Sequence, residues 1–152
     1  APPSFAESKE EGLLESTSKL IADEQAELFL KEALKRIQEA NCDIDVKCAA
    51  ATPEEFKNYP IDIIDAKAAM SFGVTSALAK WCGLDFKRSF LPMIANGKNK
   101  MGYSTRQMQI MTLIHGGFMG MQLKTYEKTG DCTDDFKTRL DNELPKLPSS
   151  KS

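Results

Sequence analysis

The four cysteines constrain the fold of this chain more than any other feature, because each lies at the edge of a helical pattern. Cys42 and Cys48 follow the first long helical pattern, Cys82 closes the second, and Cys132 opens the last. An even number of cysteines in a small domain is typical of disulfide-bonded proteins in oxidising compartments. We therefore expect two disulfides and an exported protein, periplasmic or secreted; four reduced cysteines in a cytosolic protein are the alternative.

The ends of the chain differ from its middle. The chain begins at Ala1 without a methionine, which fits a mature protein after removal of a signal peptide, although a chain cut elsewhere would look the same. Both ends are rich in proline and serine, and 152 residues suit one domain. We expect a flexible N-terminal segment over 1–9, a single helical domain over 10–143 and a flexible C-terminal tail over 144–152. No apolar run approaches the roughly 18 residues that cross a bilayer, so a soluble chain is expected.

Apolar residues recur at three- and four-residue spacing almost everywhere, and strand signals are nearly absent. The pattern predicts helices over about 10–40, 60–82, 85–95, 104–128 and 133–142. Capping boxes begin at Thr52 and Ser104, Pro92 is expected to kink or break its helix, and Asn96–Lys100 is expected to be a turn. The predicted fold is all-α, a disulfide-stapled up-and-down bundle of four to five main helices.

The segment over about 104–128 is apolar on nearly every side, which is typical of the central helix of a bundle. It also carries glycines, which lower helix stability, and a neighbouring helix carries a stripe of small residues. We expect these two small faces to pack closely together; room for a ligand is the alternative. The small residues are Gly116, Gly117 and Gly120 in the central helix and Ala66, Ala69, Gly73 and Ala77 in the helix over about 60–82.

The up-and-down order predicts how the cysteines pair. If the first helix ends at the top of the bundle, Cys42 and Cys48 both lie there. The next helix descends to Cys82, and two helices later the chain returns to the bottom at Cys132. We therefore predict the disulfides Cys42–Cys48 and Cys82–Cys132, one of three arithmetically possible arrangements.

The leading functional hypothesis is an exported, non-enzymatic binding module that contacts a protein partner. A net charge of −2 gives no support to nucleic-acid binding, and no nucleotide loop or C-x2-C metal motif is present. With the cysteines oxidised no thiolate nucleophile is expected, and no cofactor is predicted. The expected contact surfaces are the loops 41–59 and 96–103, because packing constrains them least. Their candidate anchors are Phe56, Tyr59, Met101 and Tyr103.

There are three other hypotheses, and the first two rest on particular side chains. His115 with Met111 or Met119 lies on one helix face and offers soft ligands for Cu(I) or haem iron, although a core histidine is the simpler interpretation. Lys98, Lys100 and Arg106 surround the start of the long helix and are a candidate site for phosphate or an anionic lipid headgroup, which allows peripheral membrane contact.

A carboxylate-dependent hydrolase is the last hypothesis, and it depends only on abundant acids. Asp62 and Asp65 are among these acids, and they also suit a helix N-terminus.

Overall fold

The structure, a computed structural model, describes residues 21–147 and confirms the predicted all-α class. The α-helices in this range are α1 (Asp23–Arg36), α2 (Pro53–Lys57), α3 (Ile63–Trp81), α4 (Lys87–Asn99), α5 (Thr105–Thr129) and α6 (Asp134–Glu143). A 3-10 turn over Ile37–Glu39 extends α1. The predicted N-terminal segment, and the part of the first predicted helix before residue 21, lie outside the described residues.

One small sheet follows α1, in a region for which no strand is predicted. Strands β1 (Asn41–Asp43) and β2 (Val46–Lys47) pair antiparallel, with Asp43 opposite Val46. Strands of two and three residues are too short for a period-two pattern to stand out. The hairpin carries exposed apolar side chains.

The main hydrophobic core lies between α1, α3 and α5. Leu30 and Leu34 of α1, Met70 of α3, and Ile110 and Ile114 of α5 are fully buried in it. Burying each such side chain contributes about 1.5–3 kcal/mol before entropy is counted. Within residues 21–147, no helix combines the length and apolarity that crossing a membrane requires.

Both predicted disulfides are confirmed. Cys42 bonds to Cys48, and Cys82 bonds to Cys132 at a Cα–Cα distance of 5.1 Å. The second bond joins the end of α3 to the residues just before α6, and a smaller apolar cluster surrounds it. The up-and-down order that predicted the pairing is therefore confirmed at this end of the bundle.

Local sequence signals place the starts of three helices correctly. Ser104 and Thr52 each accept a hydrogen bond from the backbone N–H three residues later, and the Gln107 and Glu55 side chains complete both capping boxes. Thr133 caps α6. These caps satisfy N–H groups that would otherwise lack partners in the first helical turn.

The predicted turn over Asn96–Lys100 is wrong, because α4 continues to Asn99. Asn-Gly favours turns locally, but Gly97 is buried here, and a Cβ at this position would collide with the Met108 thioether of α5. Gly97 therefore serves close packing between helices. Pro92 lies inside α4, which the structure shows as one helix rather than two.

The predicted close contact between the small residues of α3 and the glycines of α5 is confirmed for α3 only. A Cβ on Gly73 of α3 would lie 2.9 Å from the backbone oxygen of His115, so α3 does approach the α5 backbone closely. The α5 glycines do not make this contact. A Cβ on Gly116 or Gly120 would meet no neighbouring segment within 4 Å, and Gly117 instead faces the ring of Phe29.

The first residues of the predicted C-terminal tail pack against the bundle. Leu144 is buried, and Arg88 of α4 holds the chain around it. The Arg88 guanidinium donates to the backbone oxygens of Asp141, Leu144 and Pro145 and forms an ion pair with the Asp141 carboxylate. Arg88 thus satisfies carbonyl groups at the end of α6. The tail after residue 147 lies outside the described residues.

Candidate functional site

The most exposed large apolar side chain described is at the tip of the hairpin. Ile44 is 86% exposed and Val46 is 55% exposed. Asp45 between them has a φ of 53°, a left-handed conformation that aspartate tolerates better than most residues. The Ile44 N–H donates to the Asp43 carboxylate at 2.7 Å, which helps to define the turn.

The base of the hairpin is fastened at several points. The Cys42–Cys48 disulfide closes it, and the Cys48 N–H donates to the Ala40 oxygen at 2.8 Å. From α5, Gln109 donates to the Asn41 oxygen at 2.9 Å and Arg106 donates to the Ala49 oxygen at 2.7 Å. The disulfide and these hydrogen bonds therefore hold the base of the hairpin in place.

The hairpin tip combines apolar and acidic groups. Ile44 and Val46 alternate with Asp43 and Asp45, and Lys47 donates to the Glu39 oxygen at 3.0 Å. Such a surface suits an apolar recess with basic groups around it, since opposite charges steer association and apolar contact supplies affinity. We call residues 42–48 the hairpin loop.

The predicted partner anchors are mostly engaged within the protein. The Tyr59 hydroxyl donates to Glu27 at 2.5 Å, which lowers the pKa of that carboxyl, and the Tyr103 hydroxyl donates to Asp65. Phe56, Tyr59 and Tyr103 pack against the main core, whereas Met101 is 48% exposed.

The two predicted contact loops do lie at the same end of the bundle. Arg106, just after the second loop, donates to the Glu55 carboxylate at 2.9 and 2.7 Å, and Gln107 donates to the Pro60 oxygen at 2.8 Å. The sequence prediction of a shared end is therefore confirmed by contacts. Of the proposed anchors, Met101 is the exposed one.

The three predicted anion-binding residues have different surroundings. Arg106 is a bidentate partner of Glu55, and this hydrogen bonding holds the pKa of Glu55 below its usual value. Lys98 and Lys100 are exposed at the end of α4. An anion at this end would have to compete with Glu55 for Arg106, so the three cations do not form one open site.

The predicted Met/His ligands lie inside the bundle. His115 is buried, and its Nε2 atom shares a 2.7 Å hydrogen bond with the Ser76 hydroxyl of α3. Burial lowers the pKa of His115 to about 4. Met111 is buried on the same helix and Met119 is half-buried. One of the two ring nitrogens is thus hydrogen-bonded within the bundle, and the arrangement matches a hydrogen-bonded core histidine.

The acids at the start of α3 form a close pair on one helical turn. Burial, and next the charge of Asp62, raise the pKa of Asp65. The Tyr103 hydroxyl bonds the Asp65 carboxylate, which gives this group a structural role. Glycosidase-type hydrolysis uses two carboxyls that face each other across the substrate, and Asp62 and Asp65 share one side of one helix.

No protein-family model, curated protein or solved structure matches this chain.

The predicted contact region 41–59 includes the hairpin loop, but none of the predicted anchors lies in that loop. Phe56 and Tyr59 are aromatic and so fit the composition of interfaces, yet both pack against the core. A signal for Ile44 was present in the sequence. Two cysteines six residues apart enclose acids that alternate with Ile44 and Val46, a pattern typical of a short closed hairpin.

Proposed function

We propose that this protein is exported and acts, without catalysis, by binding a protein partner through the hairpin loop. Export is supported by the pairing of all four cysteines, because disulfides persist mainly in oxidising compartments. The observation that carries the proposal is Ile44, which is 86% exposed at the tip of a loop closed by a disulfide.

Single exposed apolar residues occur on every protein surface. Ile44 differs from such residues because its loop is closed by a disulfide and its base is hydrogen-bonded to α5. A β-branched side chain on a cross-linked turn loses little conformational freedom when it is bound, so more of the energy from burying it becomes affinity. The proposed partner presents an apolar recess that accepts Ile44, with basic groups near Asp43 and Asp45.

The test is affinity capture with Ile44→Ser and a matched control. Leu28→Ser removes a similar side chain that is 56% exposed on α1, outside the hairpin loop. Wild-type protein and Leu28→Ser are expected to retain the same partner from extracytoplasmic material of the source organism. Ile44→Ser is expected to retain at least about tenfold less, since burial of this side chain is worth about 1.5–3 kcal/mol.

Three results would contradict the proposal. Equal capture by Ile44→Ser and Leu28→Ser would place the binding surface elsewhere. A specific partner present only in cytosolic extract would contradict export. Turnover of a substrate by the purified protein would contradict a purely binding role.

A further inference from the structure

A groove of about 450 Å³ lies between α4, α3 and the end of α6. Its size is in the range of small-molecule sites, which are about 300–1,000 Å³. Along α4 it extends from Arg88 to Lys100, twelve residues apart, which is roughly 18 Å along a helix. The groove is therefore long enough to suit a chain-like molecule.

The walls of the groove are mainly apolar. They include Phe72, Pro92, Ala95, Leu140, Leu144 and Pro145. Two hydroxyls on the lining are already used, because Thr75 donates to the Ser71 oxygen at 3.3 Å and Ser89 donates to the Phe72 oxygen at 2.9 Å. The middle of the groove thus favours an apolar chain over a hydrogen-bonding group.

The two ends of the groove differ in available charge. At one end the charge of Arg88 is compensated by its ion pair with Asp141. Glu143 also lines the groove and lies next to Leu144, whose backbone oxygen accepts from Arg88. At the other end Lys100 is exposed and has no ion pair within residues 21–147. The amides of Asn96 and Asn99 line the groove beside it. The Lys100 end of the lining therefore carries a positive charge.

We propose that this groove binds a single-chain amphiphile with a carboxylate headgroup, such as a fatty acid. The alkyl chain lies along α4 between Ala95 and Leu140, and the carboxylate contacts the Lys100 ammonium and the neighbouring asparagine amides. This site is separate from the hairpin loop and goes beyond the proposed function.

Calorimetric titration with dodecanoate, below its micellar concentration, tests the proposal. Saturable binding is expected in the wild-type protein, and dodecylammonium should bind at least tenfold more weakly because it carries the opposite charge. Ala95→Trp fills the groove from an exposed helix position and should weaken dodecanoate binding at least tenfold. Asn99→Trp is a second variant that obstructs the Lys100 end, and it should also weaken dodecanoate binding.

Charge reversal at the end of α4 supplies the matched comparison. Lys100→Glu is expected to weaken dodecanoate binding about tenfold and to improve binding of dodecylammonium. Lys98→Glu changes the net charge equally but does not line the groove, so its effect should stay below twofold. Absence of saturable binding, equal binding of both headgroups, insensitivity to both tryptophan variants, or equal effects of the two lysine variants would each overturn the proposal.

Discussion

The buried His115–Ser76 pair shows how one polar contact joins two helices. The imidazole Nε2 and the serine hydroxyl lie 2.7 Å apart, and both residues are buried between α3 and α5. Among residues 21–147, no buried side-chain nitrogen or oxygen lacks a hydrogen-bond partner. The pair is tolerated in the core because the histidine stays neutral, as its pKa is lowered to about 4 by burial.

This lowered pKa predicts a dependence of stability on pH. Below pH 6.5 the unfolded chain protonates His115, whereas the folded protein does so only near pH 4. The free energy of unfolding should therefore fall as the pH is lowered from 6.5 to 4, by up to about 3 kcal/mol. Urea denaturation of wild type and His115→Gln across this range measures the effect. The stability advantage of wild type should shrink towards pH 4, and a constant difference would contradict the prediction.

At the scale of helices, Gly73 sets how closely α3 and α5 approach. A Cβ at this position would lie 2.9 Å from the His115 oxygen and 3.3 Å from the Met119 nitrogen, and both atoms belong to the α5 backbone. A flexible side chain could move aside, but a helix backbone moves only as a unit. Gly116 on α5 has open space where its Cβ would be, so it has no comparable packing reason.

Alanine substitutions at these two glycines should have opposite effects. Gly73→Ala is expected to destabilise the protein by about 1–3 kcal/mol through overpacking. Gly116→Ala should stabilise it by about 0.5–1 kcal/mol, because alanine is the better helix former and meets no neighbour. Thermal and urea unfolding of both variants give the comparison. Similar changes in both would mean that helix propensity, rather than the approach of α3 to α5, governs these sites.

At the scale of the whole molecule, the two disulfides constrain the chain over very different lengths. Cys82 and Cys132 are separated by 50 positions, and their bond ties the end of α3 to the start of α6. Cys42 and Cys48 are separated by 6 positions and close only the hairpin loop. The entropy that a cross-link removes from the unfolded chain grows with the length of the closed loop.

Removal of each disulfide should therefore have unequal costs. Chain entropy predicts a loss of about 4 kcal/mol for Cys82→Ser/Cys132→Ser and a little over about 2 kcal/mol for Cys42→Ser/Cys48→Ser, as upper-range values. Urea denaturation of the two double variants tests the order, and a larger loss from the short loop would contradict it. The Cys42→Ser/Cys48→Ser variant is also expected to capture less partner while retaining its helices, because its hairpin loop is less constrained.

The sequence by itself determined the helical class, most helix limits and the disulfide partners. The helix limits depend on near neighbours, through the spacing of apolar residues and the Ser104 and Thr52 caps that bond three residues away. The disulfide partners follow from the alternation of helix direction, which brings Cys82 to Cys132. The predicted turn at Asn96–Lys100 is wrong because it is based on local preference alone. Asn96-Gly97 favours a turn locally, but the segment is helical and Gly97 packs against Met108 of α5.

Only the tertiary structure decided which side chains remain available for binding. Arg106 and Tyr103 look free in the sequence, but Glu55 and Asp65, each far along the chain, engage them. Ile44 is 86% exposed at the tip of the short cross-linked hairpin. Whether a side chain is buried or hydrogen-bonded depends on contacts between segments that are distant in the sequence. Local sequence patterns do not specify these contacts.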